Sequence, residues 1–165
     1  MRNLNATARV AACTLLVLCG FSPLAGKGNF ATADLRCEQA TNPVGIDTPT
    51  PRLSWRLYTS ERNTTQSAYR IIVSDSPDAI TRGVGTMWDS KKVRSDASLL
   101  IPYSGAPLAP ATRYYWSVCT WDASGQHSAW APTASFTTGL YGDNAWGGAQ
   151  WIALEDDIPS QIVTD

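Results

Sequence analysis

Residues 113–121, Arg-Tyr-Tyr-Trp-Ser-Val-Cys-Thr-Trp, constrain the fold more than any other stretch of this 165-residue chain. In an extended chain successive side chains point to opposite faces. Tyr114, Trp116 and Val118 therefore share one face, and Tyr115, Cys119 and Trp121 the other. Aromatic and β-branched residues at period two favour a strand, and no helical spacing competes with it. A strand that is apolar on both faces must be packed on one side and covered on the other. Each outward ring, if fully covered, withdraws on the order of 150–250 Å² from water, an area that a soluble monomer seldom leaves bare. Three coverings fit the pattern: neighbouring strands of the same chain, a second domain, or a sugar stacked on the aromatic faces.

The same period recurs along residues 34–138. Residues 35–38 are a short first candidate strand. Residues 52–57 place Leu53, Trp55 and Leu57 on one face, and residues 68–74 do the same with Tyr69, Ile71 and Val73. Residues 88–93, 98–101 and 134–137 supply shorter strands. Between them, residues 41–51 carry Asn42-Pro43, Gly45, Pro49 and Pro51 and read as a loop. Ser76-Pro77 opens little more than one turn of helix before Gly83 stops it. Seven strands separated by Gly/Pro turns predict an all-β, seven-stranded sandwich with Trp55, Tyr69, Tyr114 and Trp116 in its core. The segment Leu108-x-Pro110-x-Thr112-x-Tyr114 resembles the tyrosine corner of immunoglobulin-like sandwiches. Together with Trp55 and Tyr69 it makes the pattern similar to a fibronectin type III domain.

The N-terminus reads differently. Arg2 and Arg9 form a basic head ahead of an apolar run, residues 10–18, that is too short to span a bilayer as a helix. Small residues follow, the layout of a secretory signal peptide. Ala31 and Ala33 place the cleavage after Ala33. The expected organisation is a leader over residues 1–33, a sandwich over residues 34–138, and a linker with the start of a further domain over residues 139–165. Cleavage leaves ten basic against fourteen acidic side chains, a net charge of −4. That balance excludes a generally basic nucleic-acid binder and gives no attraction to anionic membrane surfaces. The expectation is an exported, periplasmic or extracellular protein that leaves the membrane once its leader is removed. With 44% apolar and 16% charged residues the chain is not intrinsically disordered.

Export would expose thiols to an oxidising compartment. Only Cys37 and Cys119 lie beyond the leader, on opposite-facing phases of their strands, which predicts two unpaired thiols. There is one histidine, His127, and no Cys-x-x-Cys pair, so neither a metal site nor a cofactor is expected.

Past the last strand, Trp146, Trp151 and Ile152 are apolar where chain ends are usually polar. They read as the start of a further domain, or as a cap folded back on this one. Several motifs then align with one family. Leu35-Arg36-Cys37-Glu38 is followed by Asn42-Pro43-x-Gly45-Ile46-Asp47-x-Pro49-x-Pro51-Arg52-Leu53-Ser54-Trp55. Next come Ala68-Tyr69-Arg70-Ile71, Trp88-Asp89-Ser90, Tyr114-Tyr115-Trp116, Trp121-Asp122, Ser128-Ala129-Trp130 and Trp151-Ile152. Over residues 34–154 the chain resembles the opening of bacterial α-L-rhamnosidases. The resemblance implies a multidomain enzyme that hydrolyses terminal α-L-rhamnose with inversion, its acid and base carboxyls lying in a helical barrel beyond this region. No catalytic residue can be carried onto this chain.

The residues agree on their own terms. Inverting hydrolysis needs two carboxyls about 6.5–9.5 Å apart, one with a raised pKa. Here Asp47, Asp75, Asp78, Asp96 and Asp122 fall in turns and loops, and Glu155-Asp156-Asp157 is a charge run in the tail. With His127 in a surface turn, no Ser-His-Asp set can be drawn. The expected function is a non-catalytic sandwich of a rhamnosidase-type hydrolase, present as a fragment or truncated product. Tyr115, Trp121, Trp130, Trp146 and Trp151 are its candidate contacts to downstream domains or to sugar. The alternative is a free-standing carbohydrate-binding or adhesion module.

Overall fold

A computed structural model describes residues 30–141, 143–149 and 152. Of the expected leader only residues 30–33 are described, and Trp151 lies outside the described residues. Nine strands form: β1 (Phe30–Cys37), β2 (Val44–Ile46), β3 (Arg52–Thr59), β4 (Gln66–Ser74), β5 (Trp88–Asp89), β6 (Val93–Arg94), β7 (Ile101–Pro102), β8 (Arg113–Asp122) and β9 (Ala134–Thr138). One short helix, α1 (Pro77–Thr81), follows β4.

The strands make two sheets, one ordered β1-β3-β7 and the other β2-β9-β8-β4-β5, with β6 also on β4. Pairing is antiparallel except for β2, which runs parallel to β9. The fold is an all-β, immunoglobulin-like sandwich. Its core holds Leu53, Trp55, Tyr69, Ile71, Val73, Tyr114, Trp116, Val118 and Phe136, all buried between the sheets. These are the inward phases read from the alternation.

The strand count departs from seven for local reasons. Lys91 adopts a φ of 54°, a left-handed conformation that splits residues 88–93 into β5 and β6. Leu100, with a φ of 54°, delays β7 to Ile101. The loop at residues 41–51 contains β2, which docks on β9 through Pro43 and Ile46. Thr137 N–H donates to the Pro43 carbonyl at 2.9 Å, and Gly139 N–H donates to the Ile46 carbonyl at 2.7 Å. β1 begins at Phe30, four residues ahead of the expected domain start at Asp34.

The tyrosine corner is present. The Tyr114 hydroxyl accepts the Ala109 N–H at 2.9 Å. Ser76 occupies the N-cap of α1 without a side-chain cap bond, and Pro77 opens the helix as its sequence suggests. Gly83, with a φ of 73°, closes it in the left-handed conformation that a helix C-terminus favours. The described cysteines, Cys37 and Cys119, are both buried and free.

Candidate functional site

The outward face of β8 carries the candidate contacts Tyr115 and Trp121, and the chain itself covers much of it. Opposite β8, β4 brings Ala68 beside Trp121 and Arg70 beside Cys119. Arg70 then reaches two ways. Its guanidinium donates two hydrogen bonds to Asp89 on β5, at 2.9 and 2.8 Å, and lies over the Trp130 ring at 5.6 Å. Asp89 also accepts from Lys91 Nζ at 2.6 Å. Hydrogen bonds from Arg70, and secondarily from Lys91, outweigh partial burial and hold the Asp89 carboxyl far below the ordinary carboxylate range.

Trp121 is covered in the same manner. The ammonium of Lys92 sits 4.4 Å from its ring centroid, and the His127 ring packs at 6.0 Å. A cation over an aromatic face contributes on the order of 0.5–1 kcal/mol at exposed sites. Trp130 lies against Gly83 at the end of α1, and α1 itself buries Ala79 and Ile80. Tyr115, Trp121 and Trp130 are consequently all half-buried. Beneath them Cys119 donates its thiol to the Ser128 carbonyl at 3.3 Å, and burial pushes its pKa up. His127 is an exposed turn residue beside Trp121.

The exposed apolar surface lies elsewhere. Trp146, in a short 3₁₀ turn over Asp143–Trp146, is 53% exposed. Leu140 and Ile152 are also exposed, as is Val44 at 74%. Because β2 runs beside the end of β9, Val44 and Leu140 share the edge from which the chain leaves the sandwich. A second exposed pair, Leu99 and Leu100, borders a cleft of about 260 Å³ on the smaller sheet, with Asp34, Arg36, Ser54 and Arg56. Lys92, Arg70 and Asp89 carry no direct sign in the sequence of acting as covers: Arg70 comes beside Cys119 through the β4–β8 register, Asp89 through the pairing of β5 with β4, and Lys92 from the link between β5 and β6. Val44, an apolar residue within a proline-rich loop, was a signal open to notice.

The carboxyls do not resemble a hydrolytic pair. Asp122 accepts from Ser124 Oγ at 2.7 Å and from Gln126 N–H at 2.9 Å, and these donors lower its pKa. The bidentate bond from Arg52 lowers that of Glu38. A general acid needs the opposite shift. Among the described residues no cluster of three or more His, Cys, Asp or Glu could hold a metal ion.

Residues 32–142 match the family model described as "Rha78A-like, N-terminal immunoglobulin domain". The α-L-rhamnosidase of Streptomyces avermitilis is 43% identical over 116 residues, which are 70% of this chain and 11% of that protein. An α-L-rhamnosidase of Formosa agariphila is 39% identical over 117 residues, 71% of this chain and 12% of that protein. Among solved structures, the S. avermitilis α-L-rhamnosidase complexed with L-rhamnose superposes with a TM-score of 0.71 at 40% identity, covering 75% of this chain and 12% of that one. The α-L-rhamnosidase from Dictyoglumus thermophilum gives 0.68 at 40% identity, covering 70% and 13%. The chain thus spans about an eighth of the length of these relatives. It belongs to the family of Rha78A-like N-terminal immunoglobulin domains.

Proposed function

We propose that this chain is the N-terminal, non-catalytic sandwich of an α-L-rhamnosidase-like glycoside hydrolase, exported to the periplasm or cell exterior. The observation that carries the reading is the match of residues 32–142 to an N-terminal domain that makes up only 11% of the S. avermitilis enzyme. Its task is to dock and position the domains that follow it. Exposed Leu140, Trp146 and Val44 at the chain exit support that role, since apolar area beside a linker is suited to burial against the next domain. The downshifted carboxyls Asp89, Asp122 and Glu38 support a non-catalytic part. The rings of Trp121 and Trp130, faced by Lys92 and Arg70, are poorly placed to stack on a sugar.

The purified 165-residue chain is expected to release no aglycone from an aryl α-L-rhamnoside above the buffer rate; clear turnover would overturn the reading. Titrating L-rhamnose into the millimolar range should leave tryptophan fluorescence flat. A saturable change would make the domain a carbohydrate-binding module instead.

A further inference from the structure

The start of β1 bears on where an exported form of this chain is processed, an inference that rests on the export reading above. Four of the six paired positions between β1 and β3 lie in residues 30–33: Phe30 with Thr59, Ala31 with Tyr58, Thr32 with Leu57 and Ala33 with Arg56. β7 reaches only Arg52 and Leu53, so β1 is the strand that β3 uses along its second half. Phe30 is buried. Thr32 is buried too, and its hydroxyl joins the two sheets: Thr32 Oγ1 lies 2.7 Å from Thr120 Oγ1 on β8 and donates to Ser128 Oγ at 3.3 Å.

A cut after Ala33 would remove this half-strand. It would expose the backbone of Leu57 and Tyr58 as an open sheet edge, the kind that invites pairing with other chains. It would also take one hydroxyl out of a buried three-member network, leaving Thr120 and Ser128 each with one partner fewer.

We infer that leader cleavage falls upstream of Phe30, not after Ala33, so that the whole of β1 stays with the mature domain. The Gly28–Asn29 bond fits, because Gly26 and Gly28 supply small residues at the third and first positions before the cut. In that hydrolysis, performed by a leader peptidase of the export machinery, water adds its hydroxyl to the Gly28 carbonyl carbon. The C–N bond breaks and the Asn29 nitrogen takes the proton.

The test is to express the full 165-residue chain in an exporting bacterial host and read the exported protein by intact mass and N-terminal sequencing. The expected first residue is Asn29, or another residue between Gly26 and Phe30. A homogeneous start at Asp34 would overturn the inference while leaving export standing. An exported chain that keeps its leader would overturn the inference while leaving export standing, and full-length chain confined to the cytoplasm would overturn both. A second measurement does not depend on the product's stability. Ala33→Gln blocks a cut after residue 33 and should leave the rate and size of processing unchanged, whereas accumulation of precursor would refute the upstream site.

Discussion

Trp55 is held by polar bonds as well as by its apolar surroundings. Its indole N–H donates to Gln66 Oε1 at 2.9 Å, and Gln66 Nε2 donates to the Ser95 and Ala97 carbonyls at 3.1 and 2.8 Å. The ring also meets Tyr69 edge-on at 5.2 Å. Trp55→Ala therefore empties the sandwich centre and strips a buried amide of its donor. A loss of about 3–5 kcal/mol by urea denaturation is expected. Tyr114→Phe removes only the corner bond to Ala109 and should cost about 1 kcal/mol in the same assay. Asp89 is expected to contribute to acid behaviour. Its folded pKa is depressed, so the unfolded state binds more protons as pH falls, and the stability it contributes is present above the unfolded value of about 4. That contribution fades as pH drops through the folded value. Asp89→Asn should cost about 2 kcal/mol at pH 7 and should flatten the acid limb of a urea-midpoint profile between pH 6 and 2. An unchanged acid limb would mean that other carboxylates control it. Core residues such as Trp55 and Tyr114 were legible because period two fixes a face. The lids Arg70 and Lys92 were not, because which side chains come to lie over Trp130 and Trp121 depends on how β4, β5, β6 and β8 pair, which no single segment encodes.

The elements around α1 are set by two glycines with different tasks. Gly83 has a φ of 73°, and a Cβ there would meet Trp130 Nε1 at 3.6 Å, an ordinary contact. Gly85 lies just beyond, where a Cβ would fall 2.0 Å from the Trp88 carbonyl oxygen and 3.2 Å from Ile72 Cβ. Gly83→Ala should cost about 1 kcal/mol, the penalty of a left-handed alanine. Gly85→Ala forces the backbone of the β5 hairpin apart and should cost clearly more, about 3 kcal/mol, on the scale of core overpacking. Equal losses in chemical denaturation would show that the hairpin yields. The long strands β3, β4 and β8 could be read from sequence because eight or more residues of alternation leave one consistent phase. The short ones were read only in outline, as residues 88–93 and 98–101, since β5, β6 and β7 are two residues each and left-handed Lys91 and Leu100 shift their bounds. β1 shows a further ambiguity. Ala31-Thr32-Ala33 satisfies a cleavage pattern and also lies in a strand, and its pairing with β3 is visible only in the fold.

At the scale of the whole molecule, a three-stranded and a six-stranded sheet share one core and the Thr32–Thr120 bridge. The smaller sheet has no core of its own, so it should not detach as a separate unit. Tryptophan fluorescence and far-ultraviolet circular dichroism are expected to give coincident unfolding midpoints, as for a two-state domain. A lower midpoint by fluorescence would show the small sheet peeling away first. The family motifs around Asn42 and Trp55 pointed to a part of a larger enzyme, and the comparisons agree, at about 12% of the relatives' length.

The way the chain leaves the sandwich carries one more consequence. Ala111 N–H donates to the Gly139 carbonyl at 3.1 Å, and the Tyr141 hydroxyl donates to the Leu108 carbonyl, one residue from the Ala109 amide that Tyr114 holds. The exit segment is therefore tied to the corner as far as Tyr141, beyond the end of β9. Whatever is tethered downstream inherits that anchor, and removing it, by Tyr141→Phe for instance, would move the last fixed point of the exit back toward β9 without touching the hydrophobic core.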